Sequence, residues 1–265
     1  MSRPAHLAPL PQQASTDAAC TGVSLQGVTL RRGASTVLHE ITLELTQPRI
    51  GLIGDNGSGK SSLFRLISGL DAPQLGQVLV CGHDVHHAGA HAVRVGLMFQ
   101  NPDEQIIFPT VQEELALSLT AAGLSRAQAH AKVQTFLHGR GLEAWSERAI
   151  ATLSQGQRQH VCWLALSLAS PRLLLLDEPF ASLDLPSQTL LRHEIAAAPH
   201  QVIVATHQLE HVRDFTRVLW LDKGRVRADG PGREVCAAYE ADVASRMAAR
   251  DLSFNDAVQP AALAV

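Results

Sequence analysis

The chain has 265 residues, 46% hydrophobic and 18% charged, which suits one large domain or a core carrying an inserted subdomain. A net charge of −3 offers no basic excess for nucleic acid, so a DNA or RNA partner is disfavoured. No window holds the roughly 18 consecutive apolar residues of a membrane-spanning helix, and no early apolar run resembles a signal peptide; any membrane role is expected to be peripheral.

Residues 1–21, rich in Ala, Pro and Gln without periodicity, read as a disordered leader. From Ser24 the pattern turns to short β-type runs, Val28 to Leu30, Val37 to Leu38 and Ile41 to Leu45, which predict an antiparallel β layer beside the core. Arg49 to Ile53 reads as a buried strand feeding the stretch GDNGSGKSS, Gly54 to Ser62, which fits G-x-x-x-x-G-K-[ST]. Gly54, Gly57 and Gly59 permit backbone angles that let consecutive N–H groups approach phosphates, with Asp55, Asn56, Ser58 and Ser62 completing the loop. A helix over Ser61 to Leu70 would aim its positive end at the same anion. Strand, loop and helix together imply a nucleoside triphosphate, with Lys60 reaching its terminal phosphates and the Ser61 hydroxyl ligating Mg²⁺.

Gly76 to Val80 predicts a further strand. His83, His87 and His91 would align on a helix as metal ligands, but Gly89 weakens a helix there and no carboxylate or cysteine cluster completes a site, so a loop is the better reading. Val93 to Phe99 predicts a strand ending at Gln100, and residues 101–153 predict an inserted helical subdomain, helical until Gly139 and Gly141. The four cysteines, Cys20, Cys81, Cys162 and Cys236, are scattered and read as reduced thiols.

Leu153 to Arg158, LSQGQR, carries the Ser-x-x-Gln spacing of a capping box that opens an apolar helix over Val161 to Ala169. Ser154 and the first-turn N–H groups could also face an anion, although the cap alone accounts for the pattern. Arg172 to Leu176 reads as a strand buried on both faces, with Asp177 and Glu178 at its carboxyl end, where open α/β sheets bind ligands. There Asp177 would hold Mg²⁺ and Glu178 would orient or deprotonate the attacking water. Val202 to Thr206 is another buried strand, and His207 follows it at the same sheet edge, placed to contact a γ-phosphate. Arg217 to Leu221 and Arg225 to Arg227 predict a hairpin, followed by an Ala-rich helix and a frayed tail over 241–265.

With these pieces in this order, residues 22–240 resemble the ATP-binding subunit of ABC transporters. The resemblance implies an α/β fold: a P-loop NTPase core with a mostly parallel sheet, an antiparallel β layer and an inserted helical subdomain. It makes Gln100 the Q-loop glutamine and a Mg²⁺ ligand, LSQGQ the family signature with Ser154, Gly156 and Gln157 contacting ATP, and Asp177 and Glu178 the Walker B pair. Ser182, Leu183 and Asp184 become the D-loop and His207 the switch histidine. The implied ligands are ATP and Mg²⁺, and the implied activity is ATP hydrolysis coupled to transport at the cytoplasmic face of the membrane. Two such subunits, identical or sisters, face head to tail, so that each ATP lies between one phosphate loop and the other subunit's signature helix.

FQNPDEQI, FPTV and EEL resemble the energy-coupling-factor group more finely, which implies a transmembrane coupling subunit, a substrate-binding membrane subunit, and a vitamin or transition metal as cargo, biotin or cobalt or nickel first. Ile106, Ile107 and Phe108 would then line the groove for a coupling helix; the alternative is that they form the core of the helical insert. The chain departs from the family pattern where an aromatic residue often stacks on adenine: it has Leu30-Arg31-Arg32, so stacking falls to the Arg32 guanidinium or is absent. Gln155 and His160 are further variants within and after the signature. The alternatives are the ATPase of another ABC importer and a soluble ABC ATPase acting on ribosomes or DNA; against the soluble protein, one nucleotide unit and no sustained heptads favour the importer. A small-molecule kinase would leave LSQGQ and His207 without a role.

Overall fold

The computed structural model describes residues 22–86, 95–181 and 183–257, and side chains up to Ala249. Strands β1 (Val23–Arg32) and β2 (Ser35–Leu45) form a long antiparallel pair. The sequence suggested three short runs here, because irregular pairing breaks the apolar alternation: the register shifts across Gln26-Gly27, ahead of Val28, and again where Val28 and Leu30 face Ile41 and Leu38, with Glu40 at φ 49° between the last two. Strand β3 (Arg49–Ile53) leads through the glycine loop into helix α1 (Lys60–Ile67). Strands β4 (Leu75–Val80) and β5 (His83–Asp84) then complete a four-stranded sheet of order β2-β1-β4-β5. Every pairing in it is antiparallel, as expected of the β layer. His87, His91 and Val93 lie outside the described residues, and those that are described contain no cluster of three metal-ligating side chains.

Strand β6 (Val95–Met98) precedes helices α2 (Val111–Ala121), α3 (Arg126–His138) and α4 (Gln155–Ala169). The helical stretch expected to run on to Gly139 is broken at Gly123, whose φ of 94° ends α2. Ser125 restarts it with a capping box through Gln128, the same Ser-x-x-Gln signal that opens α4. Val111, Leu115, Leu119, Val133, Leu137 and Leu164 give this helical unit its own core. Strand β7 (Leu173–Asp177), helix α5 (Leu185–Ala197), strands β8 (Gln201–Ala205), β9 (Arg217–Asp222) and β10 (Arg225–Gly230), and helix α6 (Gly232–Ala257) complete the described chain.

The second sheet has order β10-β9-β3-β8-β7-β6, parallel throughout except for the β9-β10 hairpin. Its central strands read as unbroken apolar runs because both faces are covered. Leu173, Leu175 and Ile203 pack with Phe64 and the antiparallel layer, while Leu174, Leu176, Val202 and Val204 pack with Trp163, Leu191 and Trp220. Crossing order between sequence-distant strands gathers the carboxyl ends of β3, β8 and β7 at one edge, which is what builds the site.

Candidate nucleotide site

Strands β3, β8 and β7 are parallel neighbours, with Leu52 and Asp177 both in register with Ala205. Two bonds lock their ends: the Thr206 N–H donates to the Leu52 carbonyl at 3.1 Å and the Glu178 N–H to the Ala205 carbonyl at 2.8 Å. Three loops therefore leave the sheet side by side, beginning at Gly54, Glu178 and Thr206.

The glycine loop can take no side chain at its first position. Gly54 has φ 145°, and a Cβ there would lie 2.1 Å from the Leu221 carbonyl oxygen. Gly57, φ 80°, has nothing within 4 Å of its Cβ position, so its backbone stands open to a ligand. Helix α1 begins on Gly59 with no side-chain cap, leaving its first-turn N–H groups as an anion site. The Lys60 ammonium is buried beneath the loop and donates to the Gly54 and Asp55 carbonyls at 2.8 and 3.1 Å. Burial lowers its pKa, against the pull of Glu178, Asp177 and Asp55. Ser58 is buried, and its hydroxyl has no partner among the described residues.

Asp177 and Glu178 are both buried. Burial raises the pKa of Asp177, the neighbouring Glu178 adds to the rise, and a hydrogen bond from Ser61 opposes it. Glu178 adopts φ 49°, unusual for a residue with a side chain and a store of about 1 kcal/mol or more of strain. Its Oε2 accepts from the Thr206 hydroxyl at 3.1 Å and the His207 N–H at 3.3 Å, and lies 2.9 Å from His207 Nδ1.

A cavity of about 640 Å³ brings together Gly54, Asp55, Asn56, Gly57, Gly59, Lys60, Ser61, Ser62, Gln100, Asp177, Glu178 and His207. Val37 and Tyr239 also line it. Neither was singled out from sequence: Val37 looked like ordinary strand core, and the lone tyrosine lies in the Ala-rich helix far from every motif. Arg32 is not among the lining residues; its guanidinium pairs with Asp71 at 2.7 Å.

Ser154, Gly156, Gln157 and Asp184 are elsewhere. With Gln155, Trp145, His160 and Leu183 they line a second cavity of about 540 Å³. Ser154 caps α4 as expected, its Oγ accepting from the Gln157 N–H at 3.2 Å while Gln157 Oε1 accepts from the Ser154 N–H at 3.1 Å. Asp184 caps α5 by accepting the Ser187 N–H at 3.0 Å, and the Ser187 side chain and backbone lower its pKa. Ser182 lies outside the described residues.

The apolar trio divides. Ile106 packs partly into the core, whereas Ile107 is 73% and Phe108 36% exposed. Buried Glu114 fixes that turn, its Oε2 accepting both their N–H groups at 2.9 Å.

Fold and site define a P-loop ATPase of α/β architecture. The ABC transporter family profile matches residues 38–181, and the chain belongs to that family as an ATP-binding, ATP-hydrolysing subunit. It is 46% identical to the biotin transport ATP-binding protein BioM of Rhodobacter capsulatus, over 82% of this chain and 93% of that one. It is 37% identical to the energy-coupling factor transporter ATP-binding protein EcfA of Methanoculleus marisnigri, over 71% and 70%. Among solved structures, cbiO1 from Clostridium perfringens, part of the ABC transporter complex cbiONQ, superposes with a TM-score of 0.71 over 89% of this chain and 98% of that one. At 22% identity this last likeness speaks for the fold.

Proposed function

We propose that the chain drives an energy-coupling-factor importer as one of two ATPase subunits, with biotin as the transporter's first candidate cargo and cobalt or nickel next. The observation that carries the pairing is the separation of the two cavities: Lys60 and Glu178 line one, Ser154 and Asp184 the other. A site needing both sets is complete only when a second ATPase subunit brings its Ser154 face onto this subunit's phosphate loop. Identity to a biotin transport ATP-binding protein over most of both chains supports the cargo.

Within that site the Gly57 region and the first turn of α1 bind the phosphates through backbone N–H groups, and Lys60 neutralises the terminal charge. The Ser61 hydroxyl, Asp177 carboxylate and Gln100 amide are hard oxygen donors that line this cavity, the first two hydrogen-bonded to one another, and their chemistry suits Mg²⁺. Bound there, Mg²⁺ would neutralise charge building on the phosphate oxygens. Glu178, held by Thr206 and His207, orients and deprotonates the attacking water. His207, with Nδ1 directed at Glu178, presents Nε2 to the γ-phosphate. Ser154, Gly156, Gln157 and Asp184 of the second subunit close the site and order the triphosphate, and the helical unit turns with them.

Exposed Ile107 and Phe108 dock the coupling helix of a transmembrane subunit, which in turn works with a substrate-binding membrane subunit. In this reading the chain attaches peripherally through that contact, at the cytoplasmic face; no helix among the described residues is long and apolar enough to cross a membrane. The test is a pair of variants: Glu178→Gln should accumulate an ATP-bound dimer, and Lys60→Ala should lose ATP binding. Unchanged turnover in both would sink the mechanism.

A further inference from the structure

Asp55 is an anomaly in a loop that binds a polyanion. Its carboxylate lines the nucleotide cavity, and two residues of α6 engage it. Tyr239 Oη donates to Oδ1 at 2.6 Å; Arg246 donates from Nη1 to Oδ2 at 2.6 Å and from Nη2 to Oδ1 at 3.3 Å. This two-pronged arginine grip has the geometry of a charge-assisted pair. Tyr239 and Arg246 lie about two turns apart and so share one face of the helix.

The grip is itself braced. Asp242 accepts from Arg246 Nε at 2.7 Å and from Arg227 Nη2 at 2.6 Å. The Arg227 guanidinium lies 4.2 Å from the centre of the Trp220 ring, which meets Tyr239 edge-on at 5.3 Å. The contacts close a ring from Asp55 through Arg246, Asp242, Arg227, Trp220 and Tyr239 back to Asp55.

Resting on the reading of this cavity as the ATP site, we propose that α6 is a strap on the phosphate loop: Arg246 and Tyr239 position Asp55 and cancel its charge, and thereby set the affinity for ATP. They act through Asp55 as positioning residues. Without Arg246 an uncompensated carboxylate would face the triphosphate, and the repulsion would weaken binding more than turnover.

The test uses the full chain with Arg246→Ala, Arg246→Lys, Asp55→Asn and the Asp55→Asn/Arg246→Ala pair. The Arg246 and Asp55 side chains are 50% and 44% exposed, so these changes leave the core alone. Arg246→Ala should raise KM for ATP roughly fivefold with kcat within about twofold, and Arg246→Lys should restore most of the loss. In the Asp55→Asn background the arginine has no charge to cancel, so the double variant should match Asp55→Asn within about twofold. An unchanged KM in Arg246→Ala would overturn the proposal, as would a double variant as weak as Arg246→Ala alone, since the helix would then act by packing. Loss of the ATP-site reading itself looks different: the wild-type chain would show no ATP binding dependent on Lys60.

Discussion

At the scale of single residues, the chemistry depends on side chains held by neighbours from other strands. Glu178 keeps its left-handed backbone because Thr206 and His207, one strand away, grip its carboxylate. Gly54 is equally constrained: Gly54→Ala would drive a methyl into the Leu221 carbonyl at a position with φ 145°, so ATP binding in an equilibrium titration should be lost. Tyr239 supplies a pH prediction. Burial and the bond to Asp55 push its phenol up to about 12. Its contribution to stability is therefore complete below the ordinary value of about 10 and is lost as pH rises from there towards 12. As Tyr239 is the chain's one tyrosine, phenolate absorbance should titrate with a midpoint near 12 and move down in Asp55→Asn. A midpoint near 10 in the wild type would contradict the contact. The motif residues could be read from sequence because each sits in a contiguous pattern whose spacing the chemistry demands. Tyr239 and Arg246 could not, since their bonds to Asp55 span 184 and 191 residues and follow no local rule.

At the scale of elements, apolar pattern and capping signals account for most of what the sequence revealed. The run at Leu173 to Leu176 was legible as a strand buried on both faces, and that at Val202 to Val204 as a buried strand, because every position faces a core. The opening of α4 was legible because Ser154 and Gln157 satisfy one another's backbone groups. The break at Gly123 and the fusion of short β runs into β1 and β2 were missed, as a positive-φ glycine and shifts of strand register interrupt periodicity without changing composition. Ser154→Ala separates the cap from the proposed contact with ATP: loss of the cap should cost about 1 kcal/mol in urea unfolding, while the proposed contact with the second subunit's ATP requires ATPase activity to fall about tenfold or more. Activity unchanged by Ser154→Ala would leave it a cap alone. Ile107→Glu, on the turn pinned by Glu114, should leave ATPase activity intact and remove a multi-spanning partner from membrane pull-downs. Retention of that partner would place the docking surface elsewhere.

At the scale of the whole molecule, the two residue sets proposed to build one ATP site line separate cavities, so the account stands or falls on pairing between subunits. Sequence alone implied this division through family resemblance, because spacing along a chain says nothing of which face a motif occupies. The most direct measurement mixes two inactive variants, Lys60→Ala, damaged at the phosphate loop, and Gly156→Asp, damaged at the signature helix, and follows phosphate release. Random pairing makes half the dimers mixed, each with one intact composite site, so activity should return to about a quarter of the wild-type rate. A mixture as inactive as its separate components, from chains whose wild type hydrolyses ATP alone, would contradict the composite site formed between two copies.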